Sequence, residues 1–273
     1  MSQQYIRSLA DPFDTSVDQP KLLDGRVDRS SGLRLRVTGD ITCKTTGFTY
    51  IALINGSSNS ICWQAEGSDD VTTATAYLNK GPPAYKNYIE SAANQAFIRG
   101  ARGISSGLKL ALINGPEESD GMWESVRINS RIYELTGFLN TPSDDINNNT
   151  VSVTAAGMLA MCENMADNPT YQSGRLRDIN RYMFRSNFRN AELGWSLNST
   201  PSANSDTIII RIRGRQVSGQ PSILRFDTVQ TAEVEYKPNT PMFRLMGQNQ
   251  VLPDQDELLN KLNIRFPGIR IDG

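Results

Sequence analysis

Apolar and polar positions alternate with a period of two along most of the recognisable segments of the chain. In "LRLRVTG", Leu33, Leu35 and Val37 share one parity while Arg34 and Arg36 take the other. In "VRINSRIY", Val126, Ile128 and Ile132 oppose Arg127, Asn129, Arg131 and Tyr133. "LRFDTVQTAEVEYK" sets Leu224, Phe226, Ala232, Val234 and Tyr236 against Arg225, Asp227, Glu233, Glu235 and Lys237, and "IIIRIRGR" sets Ile208, Ile210 and Ile212 against Arg211, Arg213 and Arg215. Side chains of a strand leave alternate faces, so this pattern predicts strands covered on one side. "FTYIALI" (48–54) and "VSVTAAGMLAMC" (151–162) are apolar throughout, as expected of strands covered on both sides. Turn-rich pieces at 55–60, 114–121, 140–149, 198–205 and 217–222 separate them. Only 87–99 and 254–262 have helical spacing; in the second, Asp254 is placed to cap and Leu258, Leu259 and Leu262 form a stripe. The pattern therefore predicts an all-β sandwich or barrel with short accessory helices. It reads as one domain over 1–273, with irregular insertions at about 64–110 and 163–200 and a C-terminal extension over 240–273.

The 273 residues are enough to close a core without covalent staples. Lys and Arg number 28 against 29 Asp and Glu, so the chain lacks the basic excess that by itself argues phosphate neutralisation. Three cysteines, Cys43, Cys62 and Cys162, stand without CxxC spacing, and there is no histidine. A disulfide framework, an ordinary zinc site and the Ser-His and Cys-His nucleophiles are thereby disfavoured, and no metal ligand set is assigned. The N-terminus lacks the pattern of a signal peptide, and the longest apolar run is far short of a membrane span, so no membrane insertion is expected. No phosphate loop, dinucleotide fingerprint, GxSxG elbow or HExxH helix occurs, which favours a binding or assembly module over an enzyme.

Four clusters carry candidate chemistry. In "RLRDINRYMFRSNFR", Arg177, Arg181, Arg185 and Arg189 are four apart, so on a helix they form one basic stripe interleaved with Tyr182, Phe184 and Phe188. Such a stripe contacts phosphates and bases or a neighbouring subunit; the plainer alternative is a surface connection whose arginines pair with Asp178 or Glu192. "SDDINNN" and "GSDD" concentrate oxygen ligands in loops without EF-hand spacing, as ordinary turns also do. Asp11, Asp14 and Asp18 are expected to be turn and capping residues rather than a catalytic pair.

Residues 18–63, "DQPKLLDGRVDRSSGLRLRVTGDITCKTTGFTYIALINGSSNSICW", and 205–243, "SDTIIIRIRGRQVSGQPSILRFDTVQTAEVEYKPNTPMF", resemble the opening and closing strands of nodavirus-type capsid proteins. "WESVRINSRIYELTG" and "TAAGMLAMC" fit the central strands more loosely. The coat proteins of bacilladnaviruses, single-stranded DNA viruses of algae, are similar to those of nodaviruses, so the genome type stays open. The resemblance implies an eight-stranded single jelly roll with two packed antiparallel sheets, B-I-D-G and C-H-E-F. It implies self-assembly of identical subunits into an icosahedral shell enclosing a single-stranded viral genome, in a virion assembled inside the host cell. It leaves Ca2+ at subunit contacts open and implies no other cofactor. The alternative from another class is a lectin-like or other ligand-binding β-sandwich. Relatives carry an arginine-rich arm, whereas only Arg7 lies in the first twenty residues here. Relatives also cleave themselves after an Asn with help from an Asp; Asp11 and Asp14 stand in about the right place, but Asn260-Lys261 and Asn263-Ile264 are not the usual bonds, so no cleavage is expected.

With strand B at 33–39, C at 48–54, D at 123–135, E at 151–162, H at 206–213, I at 223–237, and F and G within 163–200, the charges sort themselves. Asp227, Glu233 and Glu235 on I are expected to form cross-strand ion pairs with Arg34 and Arg36 on B and with Arg127 and Arg131 on D. Arg211, Arg213 and Arg215 on H lie between C and E, which carry almost no acid. They are expected to need a partner from a genome or another subunit.

Overall fold

The computed structural model describes residues 2–18, 21, 29–45, 47–54, 61–64, 75–80, 96–115, 119–129, 150–154, 165–187, 206–216 and 221–248. Eleven strands occur among them: β1 (Ser30–Thr42), β2 (Thr49–Ile54), β3 (Ile61–Gln64), β4 (Thr75–Lys80), β5 (Ile98–Leu112), β6 (Ser119–Asn129), β7 (Thr150–Thr154), β8 (Gln172–Arg175), β9 (Met183–Asn187), β10 (Asp206–Gln216) and β11 (Ile223–Tyr236). Two α-helices, α1 (Ser2–Ala10) and α2 (Pro241–Leu245), and 3-10 turns at Met165–Asp167 and Leu176–Arg181 complete the described elements.

The strands form a four-stranded sheet, β1-β11-β5-β9, and a seven-stranded sheet, β7-β4-β3-β2-β10-β6-β8. With β1 as B, β2 as C, β10 as H and β11 as I, the first sheet is B-I-D-G and the core of the second is C-H-E-F. This is the jelly roll, with β3, β4 and β7 added beyond C. The B, C, H and I segments take their expected places, and β8 and β9 fill F and G within 163–187.

Strands D and E are corrections. Position D belongs to β5, most of which falls within the insertion expected at 64–110, while the 123–129 segment pairs with β10 and occupies E. The rest of that segment, 130–135, lies outside the described residues. The 151–162 segment, expected as E, contributes β7, which pairs with β4 at the far edge. The reason is composition: "IRGARGISSGLKLAL" carries three glycines and two serines, which blur its alternation, although Ile104, Leu108 and Leu110 are buried. The helix expected over 87–99 is corrected at its end, because Ile98 and Arg99 begin β5; 87–95 and the helix expected at 254–262 lie outside the described residues.

The parity of β6 is also opposite to expectation. Trp123 is fully buried in the core with Ile208, Ile210 and Ile212, so Ser125 and Arg127 share its face and Met122, Glu124 and Val126 take the other. The bulk of Trp123 outweighs the smaller Val126 and Ile128, and a shift of one residue exchanges every side chain between faces. Trp123 packs edge-on against Phe184 on β9, 5.4 Å between ring centres, which ties the two sheets together. The main cluster also holds Ile41, Ile51, Leu53, Ile61, Leu224 and Phe226. A smaller one gathers Ile98, Ala232, Val234 and Tyr236 with Leu33, Leu35 and Phe243. Cys43 sits in the main cluster, and burial pushes its thiol up to about 12, so it behaves as a small apolar residue.

Gly39 on β1 lies opposite Phe226, where a Cβ would stand 2.6 Å from the phenyl ring. Overpacking of this kind costs about 1–3 kcal/mol. Gly39→Val is therefore expected to lower the thermal midpoint by several degrees, whereas Thr38→Val, at an exposed neighbouring position, leaves it nearly unchanged; differential scanning calorimetry reads both.

Candidate functional site

The outer face of the four-stranded sheet is covered by the N-terminal segment. Tyr5, Ile6 and Leu9 fall on one side of α1 and are buried. The helix stops where Asp11 donates its N–H to the Arg7 carbonyl at 2.8 Å and Pro12 prevents continuation. Three strands then grip the segment by its main chain. Ser105 on β5 donates to the Ser8 carbonyl at 2.8 Å, Arg185 on β9 donates to the Ala10 carbonyl, and Arg34 on β1 donates to the Asp14 carbonyl at 2.5 Å. A guanidinium at the C-terminal carbonyls of α1 also meets the negative end of its dipole. Lys109 lies 4.4 Å from the ring centre of Phe13. Beneath that ring is Gly107, where a Cβ would come within 2.8 Å of Phe13 and 3.1 Å of Pro12.

Asp11 accepts from the Phe13 N–H at 2.9 Å, and Asp14 accepts from the N–H and hydroxyl of Ser16 at 2.8 and 2.7 Å. The Ser16 bonds hold the Asp14 carboxyl below its ordinary range. Both aspartates are turn residues. Asn260 and Asn263 lie outside the described residues, as do 67–70 and 143–149. Among the described residues no group of three or more Cys, Asp or Glu is placed to hold a metal ion, and no helix is long and apolar enough to cross a membrane.

The expected ion-pair lattice is corrected in several places. Arg36 and Asp227 pair at 2.5 Å, and Glu235 pairs with Arg99 of β5 at 2.8 Å. Arg225 and Asp40 add a pair across β11 and β1 at 3.0 Å. Arg34 is turned to the N-terminal segment at Asp14 rather than to an acid of β11. Glu233 is fully buried and accepts from the Ser30 hydroxyl, while nearby Lys21 has its ammonium pKa lowered by burial, against the opposing attraction of Glu233. Arg127 is not in this sheet: from β6 it reaches across the sandwich and donates to the Arg185 carbonyl at 2.6 Å. Arg131 lies outside the described residues.

The basic stripe over 175–189 is likewise corrected. Over its described residues, 175–187, this stretch is the end of β8, a 3-10 turn and β9, not an α-helix, so its arginines diverge. Phe184 and Arg185 leave opposite faces of a strand, and Phe184 enters the core. Arg177 and Arg181 remain exposed on either side of Asp178, at 3.9 and 3.5 Å. Arg185 is half-buried, its pKa lowered by desolvation and then by Arg127. Arg189 lies outside the described residues.

On the outer face of the seven-stranded sheet, the three arginines of β10 have different surroundings. Arg211 is opposite Glu124 of β6 and pairs with it at 2.5 Å through Nη2 and 2.8 Å through Nε, while the Tyr171 hydroxyl donates to the other carboxylate oxygen at 2.8 Å. Arg211 is therefore compensated within its own sheet, contrary to expectation, because the strand beside β10 is the Glu124-bearing segment. Arg213 is opposite Met122, is exposed, and has no ion-pair partner among the described residues; its guanidinium is 5.7 Å from the Phe48 ring centre, with Arg211 at 4.8 Å. Arg215 is opposite Asp120 in the register. The spacing of "WES" and "RIR" holds the charges of the Arg211–Glu124 pair, but only strand adjacency brings them together. Nothing local marked Ser105, Gly107, Tyr171 or Arg99.

Jelly rolls occur in viral capsid domains and also in lectins and cupins. Across 97% of this chain and 91% of the other, it is similar to a subunit of the T13 particle of infectious bursal disease virus, with TM-score 0.52 and 9% identity. The family model for the Shotokuvirus capsid protein matches residues 1–202, and the chain belongs to that family. A capsid protein of Chaetoceros diatodnavirus 1 is 32% identical over 208 residues, covering 68% of this chain and 51% of the relative. One from Avon-Heathcote Estuary associated kieseladnavirus is 27% identical over 200 residues, covering 67% and 53%. The chain spans about half the length of these two relatives.

The grip on residues 2–18 depends on the bare surface at Gly107. Gly107→Val is expected to loosen the segment and raise the rate of tryptic cleavage after exposed Arg7 roughly tenfold, since about 1.4 kcal/mol of opening free energy is a factor of ten. Limited proteolysis followed by mass spectrometry measures it.

Proposed function

We propose that this chain is the shell-forming part of a viral coat protein, self-associating by symmetry into a closed icosahedral shell around a single-stranded viral genome. Its role is structural rather than enzymatic, its place is the virion, and assembly takes place inside the host cell. The observation that carries this reading is the family match over residues 1–202, on a chain whose strands pair in the jelly-roll order. Symmetric repetition suits such a sandwich, because two covered sheets leave rigid outer faces and loops for heterologous contacts that close on themselves.

Sedimentation velocity and electron microscopy of the purified protein test the proposal. Hollow particles of megadalton mass are expected. A species that stays monomeric or a small oligomer at high concentration and across salt and pH overturns it.

A further inference from the structure

Across β10, β6 and β8 the register puts Arg213 opposite Met122 and Met122 opposite Arg175. Direct cross-strand partners point to the same face, so the three side chains form one row on the outer side of the seven-stranded sheet. Adjacent strands are about 4.8 Å apart, so the two arginine Cα atoms stand about 10 Å apart with the methionine between them. Both arginines are exposed, and Met122 is 48% exposed, unusual for a large apolar side chain on a sheet. The next row inward behaves differently: Arg211 and Glu124 are a closed ion pair, and beyond it Ile209 and Val126 are buried. The sheet face thus grades from covered, through neutralised, to an open row of cation, thioether and cation. Neither Arg213 nor Arg175 has an ion-pair partner among the described residues.

We propose that the Arg213–Met122–Arg175 row is a contact surface for a second copy of this chain, where it meets exposed carboxylates; this rests on the shell-forming reading above. Charge balance favours this occupant. The chain carries 28 basic and 29 acidic residues, and some of those acids are open on its surface. Asp18 and Asp167 are exposed and without an ion-pair partner among the described residues. Arginine and methionine are enriched at the centres of protein interfaces, whereas a surface that binds nucleic acid gains from a denser basic field than two guanidinium groups beside a neutralised row. A heterologous contact joins two different surfaces, so it needs no self-complementary patch.

The test compares the purified chain with Arg175→Glu/Arg213→Glu, with the milder Met122→Ser, and with Arg177→Glu/Arg181→Glu as a control at exposed arginines outside the row. Sedimentation velocity gives the association constant, calorimetry the thermal midpoint, and absorbance at 260 nm the nucleic acid in any particle. The row variants are expected to self-associate at least about tenfold more weakly with an unchanged midpoint, the control to match the parent, and parent association to weaken with added salt. Met122→Ser keeps every charge and so carries the test if the double reversal fails to fold. Row variants that associate like the parent overturn the inference, and so does unchanged association with reduced nucleic acid, which would turn the row toward the genome. A parent that forms particles while the row variants do too leaves the shell reading standing and this inference fallen. A parent that associates through the row without closing particles does the reverse, and a parent that never associates sinks both.

Discussion

The central position of β11 is the constraint on which the rest depends. It is hydrogen-bonded to β1 on one side and β5 on the other along nearly its whole length, so its two faces are fixed for all three strands. On the inner face Leu224, Phe226, Ala232 and Val234 supply both apolar clusters. On the outer face Val229, Thr231 and Glu233 are also buried, and a sheet that carries such groups outward needs a cover with hydrogen-bonding capacity. The N-terminal segment is that cover over the central rows. It is held both through its carbonyl groups, by Arg34, Ser105 and Arg185, and through side-chain fit, with Tyr5, Ile6 and Leu9 buried and Phe13 set over the bare Gly107.

Charge is handled by location. At the exposed end of the four-stranded sheet, Arg36–Asp227 and Arg225–Asp40 are surface pairs that solvent screens, so each contributes little to stability. On the other sheet, Arg211 and Glu124 are mostly shielded, Tyr171 completes the carboxylate's bonding and Phe48 lies against the guanidinium. Removing one partner there leaves a desolvated charge, so this pair bears more on register than the exposed ones. Arg127 acts differently again, linking the two sheets through the Arg185 carbonyl.

Much of the architecture was legible because alternation is a local property. The segments around Leu33, Ile208 and Leu224 declare their strand character and their inner faces, the one around Tyr50 declares its strand character alone, and the terminal strands carry the family resemblance. Strand β5 was not legible, since Gly100, Gly103, Ser105, Ser106 and Gly107 remove the apolar signal from a strand whose neighbours on both faces come from distant parts of the chain. Helix α1 is not legible in the sequence because its apolar face is only Tyr5, Ile6 and Leu9, a pattern too short to stand out without the sheet beneath it.

The sequence by itself determined the class of fold, the strands at both ends of the jelly roll and the absence of histidine-based chemistry. Tertiary structure alone decided which strand lies beside which, and that decision assigns every charge its partner. A carboxylate at Glu124 is a strand residue like any other until β6 is placed next to β10; then Arg211 is neutralised and Arg213 is left open beside Met122. Periodicity is written in neighbours one or two residues apart, whereas a cross-strand pair joins positions as distant as Glu124 and Arg211, and no local pattern carries that information.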